Sequence, residues 1–517
     1  MTKQTFIRGT FMLIIAGMIT RFLGFINRII LARLMGEEGV GLYMMALPSL
    51  FLLITLTQIG LPIAISKRVA EANANNQTYK IKQIITISIL IIACTSVFFT
   101  LSLFFSAPFI AHYLLTDERT LYPIMAVSFI IPLIAISSVI KGYFQGMKNM
   151  KPQSYSIVIE QVVRISIVYF LIKLLLPYGI EFAATGAIIS IIFGELASCI
   201  YLLVIFKRNK IVPVRKHFFK FLEQSKTVRT QLMSIALPNT GSRLISSFSN
   251  FLEPIIVSQS LALAGYSKQE STRQYGELTG YAMPLLFLPT FITNSLSIAL
   301  IPFISEAVAH KDEQLVHNRI HQAIRISFAS GALATVVLSL FSIPILTYIY
   351  DTSNASRYII FMAPFFLLLY IQAPLQSALY GLDLAKQAMW NSFIGSAVKF
   401  IVLFLLASNA SIGMMGVAIA ICISVVLVTC LHLAVLYKSI RFTLSLGDLI
   451  KMIILLTLTT ISGYGLKYLF NFHDNNLLAF ILLLALLTFI YIGLLIILRF
   501  ITKAELRQIP VFNYFIK

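Results

Sequence analysis

Apolar runs of about 20 residues, separated by short polar turns, recur along the whole chain, and each is long enough to carry a helix across a hydrocarbon layer. Fourteen are read, near 6–34, 41–65, 82–105, 121–142, 155–177, 183–206, 232–260, 277–302, 322–348, 358–380, 388–408, 412–437, 449–470 and 477–500. The pattern predicts an all-α polytopic membrane protein with 14 transmembrane helices. Composition agrees: 58% of the 517 residues are hydrophobic, 12% are charged, and the mean hydropathy is +0.88. The first run follows Lys3 and Arg8 as a signal peptide would, but it is too long, holds Arg21 and lacks a small-residue cleavage site, so it is read as span one. Nine prolines within or at the ends of spans (Pro48, Pro62, Pro132, Pro284, Pro289, Pro302, Pro344, Pro364 and Pro374) are expected to mark bends.

The chain also repeats itself. At an offset of 239, Ile65 to Ser88 overlays Ile304 to Ser327 without gaps, with nine of 24 positions identical; at an offset of 235, Gly146, Lys151 and Arg164 fall on Gly381, Lys386 and Lys399. The register relates spans 1–6 to spans 7–12 as parallel copies. The expected organisation is an N-terminal six-helix lobe at 1–206, a basic cytoplasmic linker at 207–231, a C-terminal six-helix lobe at 232–437, and an appended hairpin of spans 13 and 14 with a cytoplasmic tail at 438–517.

The formal charge of +20 could suggest a nucleic acid partner, but with the N-terminus inside, about 27 of the 40 Lys and Arg lie in or beside cytoplasmic segments. That bias orients a membrane protein with both termini cytoplasmic and removes the need for a polyanion, so no nucleic acid is expected. The linker KRNKIVPVRKHFFKFLEQSKTVR suits an anionic membrane surface. Cys94, Cys199, Cys422 and Cys430 all fall inside spans, and the seven His form no metal-binding set, so no metal or cofactor is expected.

A cation at the centre of a membrane helix costs about 3 kcal/mol on insertion scales, so it is usually found facing a partner or a wet cavity. The candidates are Arg21 and Arg28 in span one, Glu160 and Arg164 in span five, Arg243 and Glu253 in span seven, and Lys399 in span eleven. Thr10, Gly17, Arg21, Gly24 and Arg28 share one helical face, a stripe that leaves room beside guanidinium groups, whereas Arg33 points elsewhere. Guanidinium forks suit phosphate. Glu160 and Arg164, four residues apart, can form a structural or cavity ion pair. Asn250 lies between Arg243 and Glu253, and Glu253 is a candidate for ion coupling. The outer-loop acids Asp117, Glu118, Glu270 and Asp351 read as scattered and partnerless, which speaks against a catalytic centre.

GEEGVGLYMMA, GLPIAISKRVAEA, GYFQGMKNMKPQSYSIVIEQVVRISIV and YGLDLAKQAMWNSFIGSAVKFIV resemble the sporulation branch of the polysaccharide-biosynthesis-type members of the multidrug/oligosaccharidyl-lipid/polysaccharide exporter superfamily. The resemblance implies two pseudo-symmetric six-helix lobes around a central V-shaped cavity, alternating access and a lipid-linked saccharide as cargo. In that branch the implied cargo is undecaprenyl-diphosphate-linked peptidoglycan precursor, lipid II, moved outward for spore cortex synthesis in membranes around the forespore. Compared with the related lipid II flippases, TRFLGF puts Arg21 and Gly24 on their arginine and glycine. Their next arginine falls at Asn27 beside Arg28, their acidic residue falls near Leu42, and their span-two arginine has no basic match around Thr55.

The expected function is therefore a flippase, not an enzyme. Its head-group contacts are Arg21, Gly24, Asn27, Arg28, Arg243, Asn250 and Lys399, its surroundings are membrane lipids, and cortex glycosyltransferases or transpeptidases are conceivable partners. The alternatives are export of another polyprenyl-linked polysaccharide unit, cation-coupled export of small molecules, a membrane glycosyltransferase or polymerase, and a scaffold for cortex synthases. A phosphatase that folds only outside the cytoplasm is expected to be inactive when fused after Lys517 and active when inserted after Thr352; an active fusion at Lys517 would reverse the topology.

Overall fold

The computed structural model describes residues 3–208, 226–469, 477–498 and 500, with side chains from Ala16 onward except at 226, 227, 238, 239 and 242. Most of the expected linker and the tail beyond residue 500 therefore lie outside the described residues, as does the Thr10 side chain. No strand occurs among the described residues. In chain order the helices are α1 (Lys3–Gln58), α2 (Leu61–Ala74), α3 (Thr78–Phe109), α4 (Leu121–Gly146), α5 (Lys151–Leu175), α6 (Ile180–Arg208), α7 (Lys226–Leu263), α8 (Lys268–Gly276), α9 (Met283–Phe287), α10 (Thr290–Ala309), α11 (Glu313–Tyr350), α12 (Ser356–Gly381), α13 (Ala385–Ala407), α14 (Met414–Ile440), α15 (Leu446–Leu469) and α16 (Leu477–Ile497).

Eleven segments among the described residues are helical, long and apolar enough to cross a membrane, and this is consistent with the fourteen expected spans. The first two spans run as one segment, because α1 continues through a backbone break at Gly36 (φ 65°, ψ −174°), a conformation open to glycine alone. The spans expected at 155–177 and 232–260 are the more polar α5 and α7, both long enough to cross.

Some of the prolines do interrupt helices. Pro62 sits in the first turn of α2, after a break at Ile59 and Gly60. Pro344 removes the amide that would bond the Leu340 carbonyl, Phe341 leaves helical geometry (φ −123°, ψ 22°), and Lys467 Nζ on α15 lies 3.4 Å from that carbonyl. The span expected as one helix at 277–302 is discontinuous: α8 passes through a π turn (Glu277–Ala282) into α9, and the chain restarts as α10 after Pro289. Tyr370 donates its hydroxyl proton to the Leu286 carbonyl beside this break at 2.7 Å.

The structure fixes the repeat at 235 residues. The turns at Asn76 and Lys311, Thr116 and Asp351, and Lys148 and Asp383 all carry left-handed φ angles at that spacing. Helices α4 and α12 begin and end at the same spacing. The 239 register over Ile65 to Ser88 is corrected accordingly. It is displaced by four residues, about one helical turn, which keeps apolar faces superposed and so yields identities without structural equivalence.

Close packing repeats as well. A Cβ on Gly146 would lie 2.7 Å from both the Ser66 carbonyl oxygen and Val69 Cβ; on Gly381 it would lie 3.1 Å from the Ile301 oxygen and 2.8 Å from Ile304 Cβ, the equivalent neighbours. Helix pairs α2–α4, α3–α4, α4–α6 and α5–α6 recur as α10–α12, α11–α12, α12–α14 and α13–α14.

By packing, the chain divides into Met1–Gly280 and Tyr281–Lys517. Helix α7 thus groups with the first unit, although the repeat assigns span seven to the second copy; descent and packing are different criteria. In the first unit, Leu61, Ile65, Val139, Tyr143 and Leu232 share one core. In the second, Tyr358, Phe366 and Tyr370 are fully buried on α12, and α15 and α16 pack on α11.

Helices in lipid associate through close contact rather than through expulsion of water, so these glycines carry the packing. Gly146→Ala and Gly381→Ala are each expected to lower stability by about 1–3 kcal/mol through overpacking. Gly465→Ala, with open space beside it, is expected to be neutral or stabilising by up to about 1 kcal/mol. Thermal unfolding of the purified protein in detergent distinguishes these outcomes.

Candidate functional site: the polar residues of the first unit

Helix α1 presents Gly17, Arg21, Gly24 and Arg28 along one face. A Cβ on Gly17 or Gly24 would meet nothing within 4 Å, and both arginines are exposed. Asn27, one residue off the stripe, is buried with its Oδ1 unpartnered. Helix α7 offers a matching open stretch, with space beside Gly241 and exposed Arg243 and Asn250. Glu253, half-buried, lies in the electrostatic neighbourhood of Tyr275. Among the described residues, Arg28 and Arg243 make no hydrogen bond or ion pair.

The two helices pack on each other. Gly60 lies against the Ala236 carbonyl, and Thr55 and Ser247 hydroxyls meet at 2.8 Å, one turn beyond Arg243. Near the C-terminal end of α7, Gln259 donates to the Tyr113 and Leu114 carbonyls at 2.6 and 3.1 Å, and Ser258 donates to Leu115, satisfying acceptors left by the π turn Ile110–Leu114. Arg21, Arg28 and Arg243 thus belong to two helices of one packed unit. Lys399 belongs to the second unit, where its Nζ lies 4.9 Å from the centre of the Phe400 ring.

Sequence reasoning missed one charged cluster and found only half of another. Just before α4, the buried Asp117 carboxylate accepts from Arg119 N, Nε and Nη2 at 3.1, 3.0 and 2.8 Å and from the Thr272 hydroxyl at 2.7 Å. Arg119 also donates to Glu38, which accepts from Gln269 Nε2 at 3.1 Å. Burial pushes the Asp117 carboxyl up, but the bonds from Arg119 and Thr272 together outweigh it and hold it below its usual range. Two more of the acids expected to be partnerless are paired: Glu118 with His112 at 2.8 Å and Glu270 with Arg273 at 2.9 Å. Loop acids far apart in sequence gave no signal of this convergence.

The second cluster lies deeper. Arg164 donates to Glu160, the pair that their spacing allows. Beside it, Glu195 on α6 forms an ion pair with Lys141 on α4 at 3.8 Å. Tyr43 sits in the fields of both Arg164 and Arg28, linking this cluster to the α1 stripe. Glu195 and Lys141 could have been found by the same search for charges within apolar runs. In the second unit the buried His432 meets Asn391 at 2.9 Å.

Helices in repeated sets of six, interrupted spans and a polar face on α1 define a multi-pass membrane transporter of the multidrug/oligosaccharidyl-lipid/polysaccharide exporter class. The chain belongs to the family described as polysaccharide biosynthesis protein, whose model matches residues 6–308; a second model, MatE, matches 279–405. It is 48% identical over 511 residues to stage V sporulation protein B of Bacillus subtilis (strain 168), covering 99% of each chain. Its fold is similar to that of the lipid II flippase MurJ in an inward closed conformation (TM-score 0.66, 18% identity, 93% of this chain and 97% of that one). It is equally similar to an inward-facing multidrug resistance MATE family transporter of the MOP superfamily (TM-score 0.66, 14% identity, 82% and 94%).

Asp117→Asn is expected to lower stability by about 1–3 kcal/mol at pH 7, by weakening a buried hydrogen-bonded pair. A carboxyl held below its usual value stabilises above its unfolded pKa, about 3.9, and loses that contribution as pH falls through the folded value. The wild type should therefore lose the difference from Asp117→Asn below about pH 4. Unfolding midpoints of both proteins from pH 7 to pH 3 test this.

Proposed function

We propose that the chain is a flippase that moves an undecaprenyl-diphosphate-linked peptidoglycan precursor, lipid II, outward across the cytoplasmic membrane by alternating access, for spore cortex synthesis. The observation that carries this reading is the exposed row of guanidinium groups, Arg21 and Arg28 on α1 and Arg243 on α7, each next to glycine positions with open space. Cations in membrane helices are usually found facing a partner or a wet cavity. A diphosphate supplies several acceptor oxygens, which planar forks engage in pairs.

The relative named stage V sporulation protein B and the structural neighbour named a lipid II flippase support this cargo. Gly24 leaves room for the head group, Asn250 lies two turns from Arg243 on the same helix face, and Lys399 is the candidate cation of the second unit. Asn27, buried beside the stripe with its Oδ1 unpartnered, is a further candidate contact of the head group. Glu253 is the ion-coupling candidate of α7. The cations favour an anionic cargo over small cationic drugs, and the residues described hold a ligand rather than activate a nucleophile, so the reading is transport and not catalysis. Both termini lie on the cytoplasmic side, in membranes around the forespore.

Arg21→Ala is expected to reduce lipid II translocation in reconstituted vesicles by about 10- to 100-fold, the effect of losing a charge-assisted hydrogen bond. Arg21→Lys, which keeps the charge but not the fork, should fall between. A folded Arg21→Ala protein that translocates labelled lipid II at the normal rate would remove Arg21 from the head-group site.

A further inference from the structure

Two of the seven histidines, His317 and His321, stand one turn apart at the start of α11, both half-buried. Against them lies the linker that joins α14 to α15 and so ties the appended hairpin to the repeated body. His317 Nε2 lies 2.8 Å from the Ile440 carbonyl, which can only accept, so that nitrogen carries a proton. The chain then turns at Arg441 (φ 54°) and places Phe442, 2% exposed, against both imidazoles, with ring centres 5.8 Å from His317 and 4.7 Å from His321. Further on, the Ser445 hydroxyl accepts from the Asp448 amide at 3.0 Å at the start of α15. The Asp448 carboxylate comes to 3.7 Å from His321 Nδ1, an ion-pair distance but too long for a hydrogen bond.

This seat suits neutral rings. The charged and titratable groups facing His321 are His317 and Arg325, one turn to either side on its own helix, and Asp448 from the linker side. Arg441, on the linker, turns instead to the Tyr437 ring, 5.5 Å from its centre. A proton on His321 would place a charge under the linker between His317 and Arg325, while the Asp448 carboxylate is out of hydrogen-bond reach and already favoured by the first turn of α15. The repeated fold does not require the pair: at a spacing of 235, His317 and His321 correspond to Lys82 and Thr86. The histidines occur in the copy that carries the hairpin.

We propose that His317 and His321 form a proton-sensitive clasp on the α14–α15 linker: with neutral rings they seat Phe442 and hold the hairpin's entry against α11, and protonation of His321 releases it. His317 supplies the fixed hydrogen bond to Ile440, and His321 supplies the sensitivity. A histidine freed from the seat takes up its proton near its ordinary value of about 6.5, whereas the seated ring resists it, so the clasp holds fully above that pH and weakens as pH falls below it. The Lys467 contact with the Leu340 carbonyl lies at the other end of α15 and contains no group that titrates in this range.

The test is limited trypsin digestion of the purified full chain in detergent and involves no saccharide lipid, so it stands or falls apart from the flippase reading. Cutting after Arg441 requires Phe442, the next residue, to leave its seat, and the rate of such a cut tracks the opened population. The cut at Lys148, exposed in the turn before α5, serves as the reference for the activity of trypsin at each pH. The Arg441 rate relative to Lys148 is expected to be constant from pH 8 to pH 7 and to rise about three- to tenfold by pH 5.5. His321→Phe keeps a ring against Phe442 without a proton site and should remove the rise. His317→Gln keeps a donor for Ile440 and should retain it, and Asp448→Asn, which removes the one attraction for a charged His321, should make it larger. The proposal is overturned if the wild-type ratio is flat between pH 7 and pH 5.5, or if the rise survives in His321→Phe. The wild-type profile alone decides the matter if a variant does not fold.

Discussion

Polar groups cannot be left exposed to hydrocarbon, and the architecture of this protein follows from how each is accommodated. Backbone groups freed at breaks are met by side chains: the Leu340 carbonyl by Lys467, the Leu286 carbonyl by Tyr370, and the carbonyls at 113–115 by Gln259 and Ser258. Charged side chains are met by opposite charges in the two clusters of the first unit. Among the described residues, the arginines at 28 and 243 are met by neither, which is what sets them apart as candidates for contact with water or a ligand.

Much of this was legible in the sequence, for identifiable reasons. Span lengths follow from apolar runs, and the α1 stripe from a spacing of three and four residues. The 235 repeat was visible at Gly146 and Gly381 because a helix crossing there tolerates nothing larger. The 239 register misled because a slip of one turn preserves the apolar face. The continuous eighth span misled because a π turn and Pro289 interrupt a run whose hydrophobicity does not change. The Asp117 cluster was invisible because its members come from three distant stretches, and only the close approach of α1 and α8 joins them: a Cβ on Gly41 would lie 2.0 Å from the Thr272 carbonyl.

The two copies keep one packing scheme while differing in chemistry. Helix crossings are preserved by exchanging which partner carries the small residue: Gly194 lies against the Glu160 backbone in the first copy, and Gly395, the equivalent of Glu160, lies against Val428 in the second. Such exchange lets ionisable groups come and go without altering the crossing.

The bend at Pro344 joins the appended hairpin to the repeated body. A carbonyl uncovered by proline in one helix receives an ammonium group from a helix that has no equivalent in the repeat. The hairpin therefore acts as a brace across a weak point in the longest helix of the second unit. A shortened chain ending before α15 would keep every repeated element and yet leave that bend unsupported.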